Sequence, residues 1–286
     1  MDRIYIFDTT LRDGGQTKGV DFSFADKIAI SEALDDIGID YIEGGWPGAN
    51  PTDDKLFNSP PKLKVSNFVA FGITRRPNTS AANDPGLSAV LNGKSDSVCL
   101  VGKTWDFHVD KALNISLEEN IKMIGDSINE VNKKGKEALF DCEHFFDGFK
   151  NNKSFAIDCV RAAADAGSKW VVLCDTNGGT LPNEVSEIIQ ELKSLIPNAP
   201  LGIHCHNDAG TAVACSLAAI NAGVRHVQGT INGLGERCGN ADLISLIPNL
   251  MLKMNYETGI QKENLFKLKH ISRLIDDRLN RSPNQT

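Results

Sequence analysis

Short apolar runs alternate with longer amphipathic stretches along most of the chain. Ile4–Asp8 predicts a strand, and Ser23–Ile37, with Ser23 as N-cap and Gly38 as stop signal, predicts a helix. Strands follow at Tyr41–Gly44, Val65–Phe71 and Ser97–Val101, separated by helical or turn-rich segments. A long helix over Ser116–Lys134 precedes a fifth strand at Glu137–Cys142. Lys153–Ala166 then predicts a helix, Trp170–Cys174 a strand, and Pro182–Leu195 a helix with its proline suitably near the start. Leu201–Cys205, Ala212–Asn221, Val224–Thr230 and Ala241–Leu250 complete the series as strand, helix, strand, helix.

Eight strand–helix units within about 250 residues is the usual size of a (β/α)₈ TIM barrel. A doubly wound sheet is the structural alternative, but no Gly-x-Gly-x-x-Gly follows the first strand. The expected organisation is a barrel over residues 1–255 and a short C-terminal helical extension over 256–286. The extension holds a helix through Leu279 and a polar tail, Arg281–Thr286.

A barrel gathers the polar residues at its strand C-terminal ends into one mouth. Those ends read Asp8-Thr9-Thr10-Leu11-Arg12-Asp13, Glu43-Gly44-Gly45-Trp46, Asp141-Cys142-Glu143-His144, Cys174-Asp175-Thr176-Asn177, His204-Cys205-His206-Asn207-Asp208 and Asn232 to Asn240. Residues two apart in a strand point the same way, so His204 and His206 present two imidazoles toward one point. With an anionic ligand, for which Asp13 is the best candidate, they make a divalent metal site with open positions. Taken alone, the pair equally reads as two hydrogen-bonded polar residues at a strand end. Asp8 and Asp175 read as caps of following backbone N–H groups.

The composition, with 41% hydrophobic and 23% charged residues, is that of an ordinary soluble globular chain. A net charge of −7 argues against nucleic acid or an anionic membrane as the main partner. No apolar run reaches spanning length and no basic-then-apolar leader is present, so a cytoplasmic location is expected. The seven cysteines lack CxxC spacing and read as reduced thiols, most of them in the core.

Asp8-Thr9-Thr10-Leu11-Arg12-Asp13-Gly14, His204-x-His206-Asn207-Asp208 and Gly233-x-Gly235-Glu236-Arg237-x-Gly239-Asn240 resemble the three hallmark motifs of one metal-dependent TIM-barrel family. That family includes the 2-isopropylmalate, homocitrate and citramalate synthases and 3-hydroxy-3-methylglutaryl-CoA lyase. The match spans about residues 3 to 250. Within it, Ile42 to Gly48 and Glu143 to Gly148 look most like a citramalate synthase branch.

The resemblance implies a divalent metal (Zn, Mn, Mg or Co) held by Asp13, His204 and His206, with Asn240 a further or outer ligand. It implies that Arg12 stabilises negative charge on the reacting oxygen and that Thr176 hydrogen-bonds the oxo-acid carboxylate. Physically, a guanidinium beside a metal offers fixed donors where an alkoxide or enolate develops. The plain alternative for Arg12 is an ion pair with a neighbouring carboxylate. Glu143 reads as an acid/base or orienting carboxylate, or as a salt bridge, and Glu43 carries the same ambiguity at the substrate. Gln16 reaches the reacting oxygen or caps its own loop. Phe71, His144 and Leu100 are candidate pocket walls, and Arg75-Arg76 reads as a solvated basic pair.

The implied reaction is a Claisen-type condensation of acetyl-CoA, as co-substrate, with a short 2-oxo acid; pyruvate would give (R)-citramalate and CoA. 2-Isopropylmalate or homocitrate synthase-like condensation, and a retro-aldol or retro-Claisen lyase on the same metal, are the alternatives. The lyase pattern places a cysteine directly after a Gly-Gly pair, whereas here Glu236-Arg237 precede Cys238, which therefore reads as a bystander. A metal-dependent amidohydrolase carries its H-x-H on the first strand rather than the seventh. The synthases continue past the barrel into a linker subdomain, which gives a histidine to the neighbouring subunit's site, and a regulatory domain. From this follow two expectations: a homodimer, and a 286-residue chain that binds metal and oxo acid while turning over weakly or not at all.

Overall fold

The computed structural model describes residues 2–282; residues 283–286 of the expected polar tail lie outside the described residues. In chain order the elements are β1 (Tyr5–Asp8), α1 (Phe24–Ile37), β2 (Tyr41–Gly45), α2 (Pro51–Asn58), β3 (Asn67–Ile73), α3 (Pro85–Asn92) and β4 (Ser97–Lys103). Next come α4 (Asp106–His108), α5 (Leu117–Lys133), β5 (Glu137–Glu143), α6 (Phe145–Asn151), α7 (Lys153–Asp165), β6 (Trp170–Asp175), α8 (Pro182–Leu195), β7 (Leu201–Cys205), α9 (Ala212–Asn221), β8 (His226–Gly229), α10 (Leu243–Pro248) and α11 (Lys267–Arg278). The strands form a closed parallel barrel in the order β1 to β8, with β8 returning to β1 through Tyr5↔His226 to Asp8↔Gly229. This is the expected (β/α)₈ architecture.

Local sequence explains the main elements. In α1, Ser23 and Asp26 form a reciprocal capping box and Gly38 closes the helix at φ +97°, a conformation glycine adopts without a Cβ penalty. In α5, Ile124, Ile128 and Val131 recur at helical spacing and are fully buried against the sheet. Truncating one of them costs roughly 2–5 kcal/mol in lost packing.

Two cores result from the alternation of strand side chains. Outward-facing residues such as Ile6, Ile42, Ala70, Leu100, Phe140, Leu173, Ile203 and Val227 pack under the helices. Inward-facing residues, including Phe7, Tyr41, Val69, Cys99, Leu139, Trp170 and Val172, fill the barrel. The extension is fastened to the barrel: Arg278 pairs with Asp26 at 3.1 Å, Lys267 with Asp36 at 2.7 Å, and Asn232 Nδ2 donates to the Ser272 carbonyl at 3.1 Å.

Expected and observed elements differ in places. The third strand begins at Asn67 rather than Val65, because the backbone N–H groups of Lys64, Val65 and Ser66 all donate to the Asp35 carboxylate instead of a strand partner. The short α2, α3 and α6 occupy stretches expected only as helical or turn-rich, or not expected as separate helices.

Candidate functional site

Going up the barrel interior, the first inward residues of β1, β2, β6 and β8 make an aromatic floor of Tyr5, Tyr41, Trp170 and His226. The His226 ring stacks on Trp170 with centroids 5.3 Å apart and meets Phe7 and Tyr41 edge-on. Both His226 ring nitrogens are buried without a hydrogen-bond partner. Burial, with a smaller contribution from His204, pushes its pKa down to about 3. Two residues further along the strands the interior turns polar: Glu43, Asp141, His204 and Gln228 are all buried. Above them lies a cavity of about 490 Å³, whose lining includes Arg12, Asp13, Asp141, Glu143, Thr176, His204 and His206.

At the bottom of that cavity, ligating atoms of Asp13, His204 and His206 lie within 4.8 Å of one another. Asp13 Oδ2 is 3.5 Å from His204 Nε2 and 3.9 Å from His206 Nε2, and the two Nε2 atoms are 3.3 Å apart. Burial acts to raise the Asp13 carboxyl, but Arg12, His204, His206 and the Asn240 amide together outweigh it and hold it at about 2. Burial, and then His204, pushes His206 down to about 3. At neutral pH the site therefore offers an ionised carboxylate and a neutral imidazole, the protonation states a divalent cation requires. Asp13 Oδ1 and Asn240 Oδ1 are buried without partners, an arrangement that costs free energy unless a cation takes their lone pairs. The residues present fit a divalent metal.

Arg12 lies over this cluster. Its Nε donates to Glu43 Oε2 at 2.7 Å, its guanidinium covers the Phe71 ring at 4.0 Å, and Nη1 is 3.5 Å from Asp13 Oδ2. Glu43 is completely buried beneath it and also accepts the Thr9 hydroxyl, so its reach is to Arg12 rather than into the cavity. Thr176 Oγ1 accepts the His144 N–H at 2.9 Å, which leaves its own hydrogen free to donate. Glu143 is half-buried at the wall, paired with Lys103 at 2.5 Å. Gln16 lines the opposite side.

The loops are tied to one another across the mouth. Arg237, after β8, grips Asp208 through Nε and Nη2 at 2.9 Å each and donates to the Thr176 carbonyl at 2.5 Å. Thr17 and Gly235 bond reciprocally at 2.7 and 3.1 Å, joining the β1 and β8 loops. Gly235 allows Asn240 its place, since a Cβ at 235 would lie 2.2 Å from Asn240 Nδ2. Asn240 is buried and bridged to His206. Cys238 is exposed, the other six cysteines are buried, and Asp8 and Asp175 cap the N–H groups of Thr10 and Thr180.

Some placements differ from those expected. Phe71 lines the cavity, but Leu100 points under the helices because strand alternation turns its neighbours Cys99 and Val101 inward. His144 packs against Trp105 and His108. Arg75 is not solvated: it is 2% exposed and paired with Glu119 and Asp126. Sequence reasoning counted Asp141 among the polar strand ends without giving it a role, and passed over Gln228. Gln228 Oε1 meets His204 Nδ1 at 2.8 Å and its Nε2 donates to Asp141 Oδ1 at 2.9 Å. The available signal was a polar side chain on the inward parity of an otherwise apolar strand.

Fold and site together define a (β/α)₈ barrel with a candidate divalent-metal centre at the C-terminal mouth. The HMGL-like family profile matches residues 3–275, and the chain belongs to that family. It is 50% identical to the (R)-citramalate synthase of Aquifex aeolicus over 98% of this chain and 53% of that protein. Against the (R)-citramalate synthase of Geobacter sulfurreducens it is 50% identical over 100% of this chain and 54% of that protein. The chain thus spans about half the length of the curated relatives it matches. Among solved structures, an HMG-CoA lyase from Acinetobacter baumannii in complex with coenzyme A and 3-methylmalate superposes with TM-score 0.81 and 21% identity, over 99% of this chain and 94% of that one. At that identity the likeness shows the fold.

Proposed function

We propose that this barrel binds a divalent metal and a short 2-oxo acid, pyruvate, and condenses it with acetyl-CoA to give (R)-citramalate and CoA. The carrying observation is the convergence of Asp13, His204 and His206 in a cavity that also presents Arg12 and Thr176. The identity to (R)-citramalate synthases supports this choice of substrates. Asp13, His204 and His206 would hold the metal, with the oxygen Asn240 Oδ1 as a fourth donor. Zn, Mn, Mg and Co all suit such a mixed nitrogen and oxygen set. When bound, the metal supplies Lewis-acid polarisation of the 2-oxo group.

The chain's own residues account for the rest. Thr176 donates its free hydroxyl hydrogen to the substrate carboxylate. Glu143 serves as the carboxylate that receives the methyl proton of acetyl-CoA or orients the group that does. As the new C–C bond forms, negative charge moves to the former ketone oxygen, where Arg12 provides fixed donors. That oxygen takes up a proton, and water cleaves the thioester to release CoA. Glu43 acts through Arg12, anchoring its guanidinium from below, and Gln16 flanks the reacting oxygen. The same reading takes residues 256–286 as the beginning of a linker.

The test is calorimetric binding of pyruvate with and without Mn²⁺, alongside pyruvate-dependent release of CoA detected with a thiol reagent. Metal-dependent pyruvate binding, lost in His204→Ala, is expected. Equal binding after rigorous metal removal would overturn the reading.

A further inference from the structure

Behind His204 the interior of the barrel contains two polar residues, Gln228 and Asp141, that no assigned role uses. His204 and Gln228 are direct partners in the β7–β8 ladder, and their side chains meet inside the barrel with Nδ1 and Oε1 at 2.8 Å. Gln228 Nε2 continues to Asp141 Oδ1 on β5 at 2.9 Å. All three residues are buried, at 4% exposure or less.

Resting on the metal-site reading above, we infer that Gln228 and Asp141 are positioning residues that fix the tautomer of His204 and so aim its Nε2 lone pair at the metal position. The direction follows from donor and acceptor inventories. Gln228 Nε2 donates to Asp141 Oδ1, which fixes the orientation of the amide. The amide oxygen is thereby turned toward His204, where it can only accept. His204 must carry its hydrogen on Nδ1, leaving Nε2 unprotonated, and Nε2 is the atom facing Asp13 and His206. Metal-bound histidines are generally oriented by such an acceptor on the other ring nitrogen, and its loss costs about 10–100-fold in affinity.

The arrangement differs from a direct carboxylate–histidine pair. A neutral amide stands between the Asp141 carboxyl and the imidazole.

The experiment uses protein labelled with ¹⁵N at histidine and kept metal-free with a chelator at pH 7.5. Long-range ¹H–¹⁵N correlation reads which ring nitrogen of His204 bears hydrogen, the signal being assigned by its loss in His204→Gln. Expected is the Nδ1–H form in the wild type, and a shift toward Nε2–H in Gln228→Leu. Zn²⁺ affinity, measured by chelator competition, should fall about 10–100-fold in that variant. The paired exchange Gln228→Glu with Asp141→Asn reverses the two groups while keeping an acceptor against Nδ1. It should restore the Nδ1–H form and bring the affinity to within a few-fold of wild type, which separates the orienting role from general damage to the fold. An Nε2–H wild type, or an unchanged tautomer and affinity in Gln228→Leu, would overturn the inference. A wild type with Nδ1–H and no Zn²⁺ binding would instead overturn the metal-site reading and leave the relay standing.

Discussion

His226 makes the barrel floor sensitive to acid, and the size of the effect follows from its burial. The ring is fully buried among Trp170, Phe7 and Tyr41, and its pKa falls from 6.5 to about 3. In the unfolded chain this histidine takes up a proton as pH falls through 6.5; in the folded barrel it stays neutral until about pH 3. Because the folded pKa is the lower one, its contribution to stability is complete above pH 6.5 and is lost as pH falls from there. The loss approaches about 1.4 kcal/mol per pH unit, and linkage gives about 2 kcal/mol between pH 8 and pH 5. His226→Phe removes this term while keeping a ring on the Trp170 face. Any overpacking by the larger ring is independent of pH, and the titrations of His206 and His108 occur in both proteins, so the slope of the difference isolates His226. Urea unfolding at pH 8, 7, 6 and 5 with a chelator present should show the variant gaining about 2 kcal/mol on wild type across that interval. Parallel stability curves would refute the argument and mean that the floor accommodates the charge.

Arg12→Lys keeps the charge but loses the fork that engages Glu43 while covering Phe71; kcat for CoA release should fall about 100-fold, read by thiol titration. Arg237→Gln frees the Thr176 carbonyl and Asp208 together, so the KM for pyruvate should rise about tenfold with a smaller change in kcat, measured by steady-state kinetics. Iodoacetamide should modify Cys238 ahead of the six buried thiols, and Cys238→Ser should bind metal and pyruvate like wild type, with intact-mass spectrometry and calorimetry as readouts. Ile128→Ala should destabilise the fold by roughly 2–5 kcal/mol in urea unfolding without altering metal affinity.

The barrel was legible because its elements are locally determined. The bounds of α8, β7 and α9 are those the sequence predicts, each punctuated by a proline, a glycine or a polar turn. The misplaced start of β3 has a distant cause: Asp35, on α1, draws the N–H groups of Lys64 to Ser66 away from the ladder, and no local propensity at Val65 reports that. The α2 and α3 helices carry Asn50-Pro51 and Asp84-Pro85 starts but are each 8 residues long, too short for periodicity to declare them. At the site, Asp13, His204 and His206 could be proposed from the sequence because strand ends converge in a barrel. Gln228 and Asp141 required the register of β7 against β8 and the position of β5 across the interior, neither of which one strand's pattern contains. The burial of Glu43 beneath Arg12 likewise depends on how β1 and β2 sit side by side.

The ties made by Arg237 and Thr17 divide the rim of the barrel into two unlike halves. From β6 round to β1 the loops are bonded to one another, and they carry Thr176, His206, Asn240 and Asp13. On the opposite side the cavity wall carries an apolar patch of Trp46, Phe71, Ile73, Val101, Leu113 and Met123, interrupted by Thr74, Arg75, Arg76 and Lys103. A substitution in the bonded half disturbs several loops together, whereas one in the apolar patch alters chiefly the shape of the cavity. Under the proposed function, a change in the size of the 2-oxo acid accepted has its easiest route through the apolar patch between β2 and α5, with the bonded half unchanged.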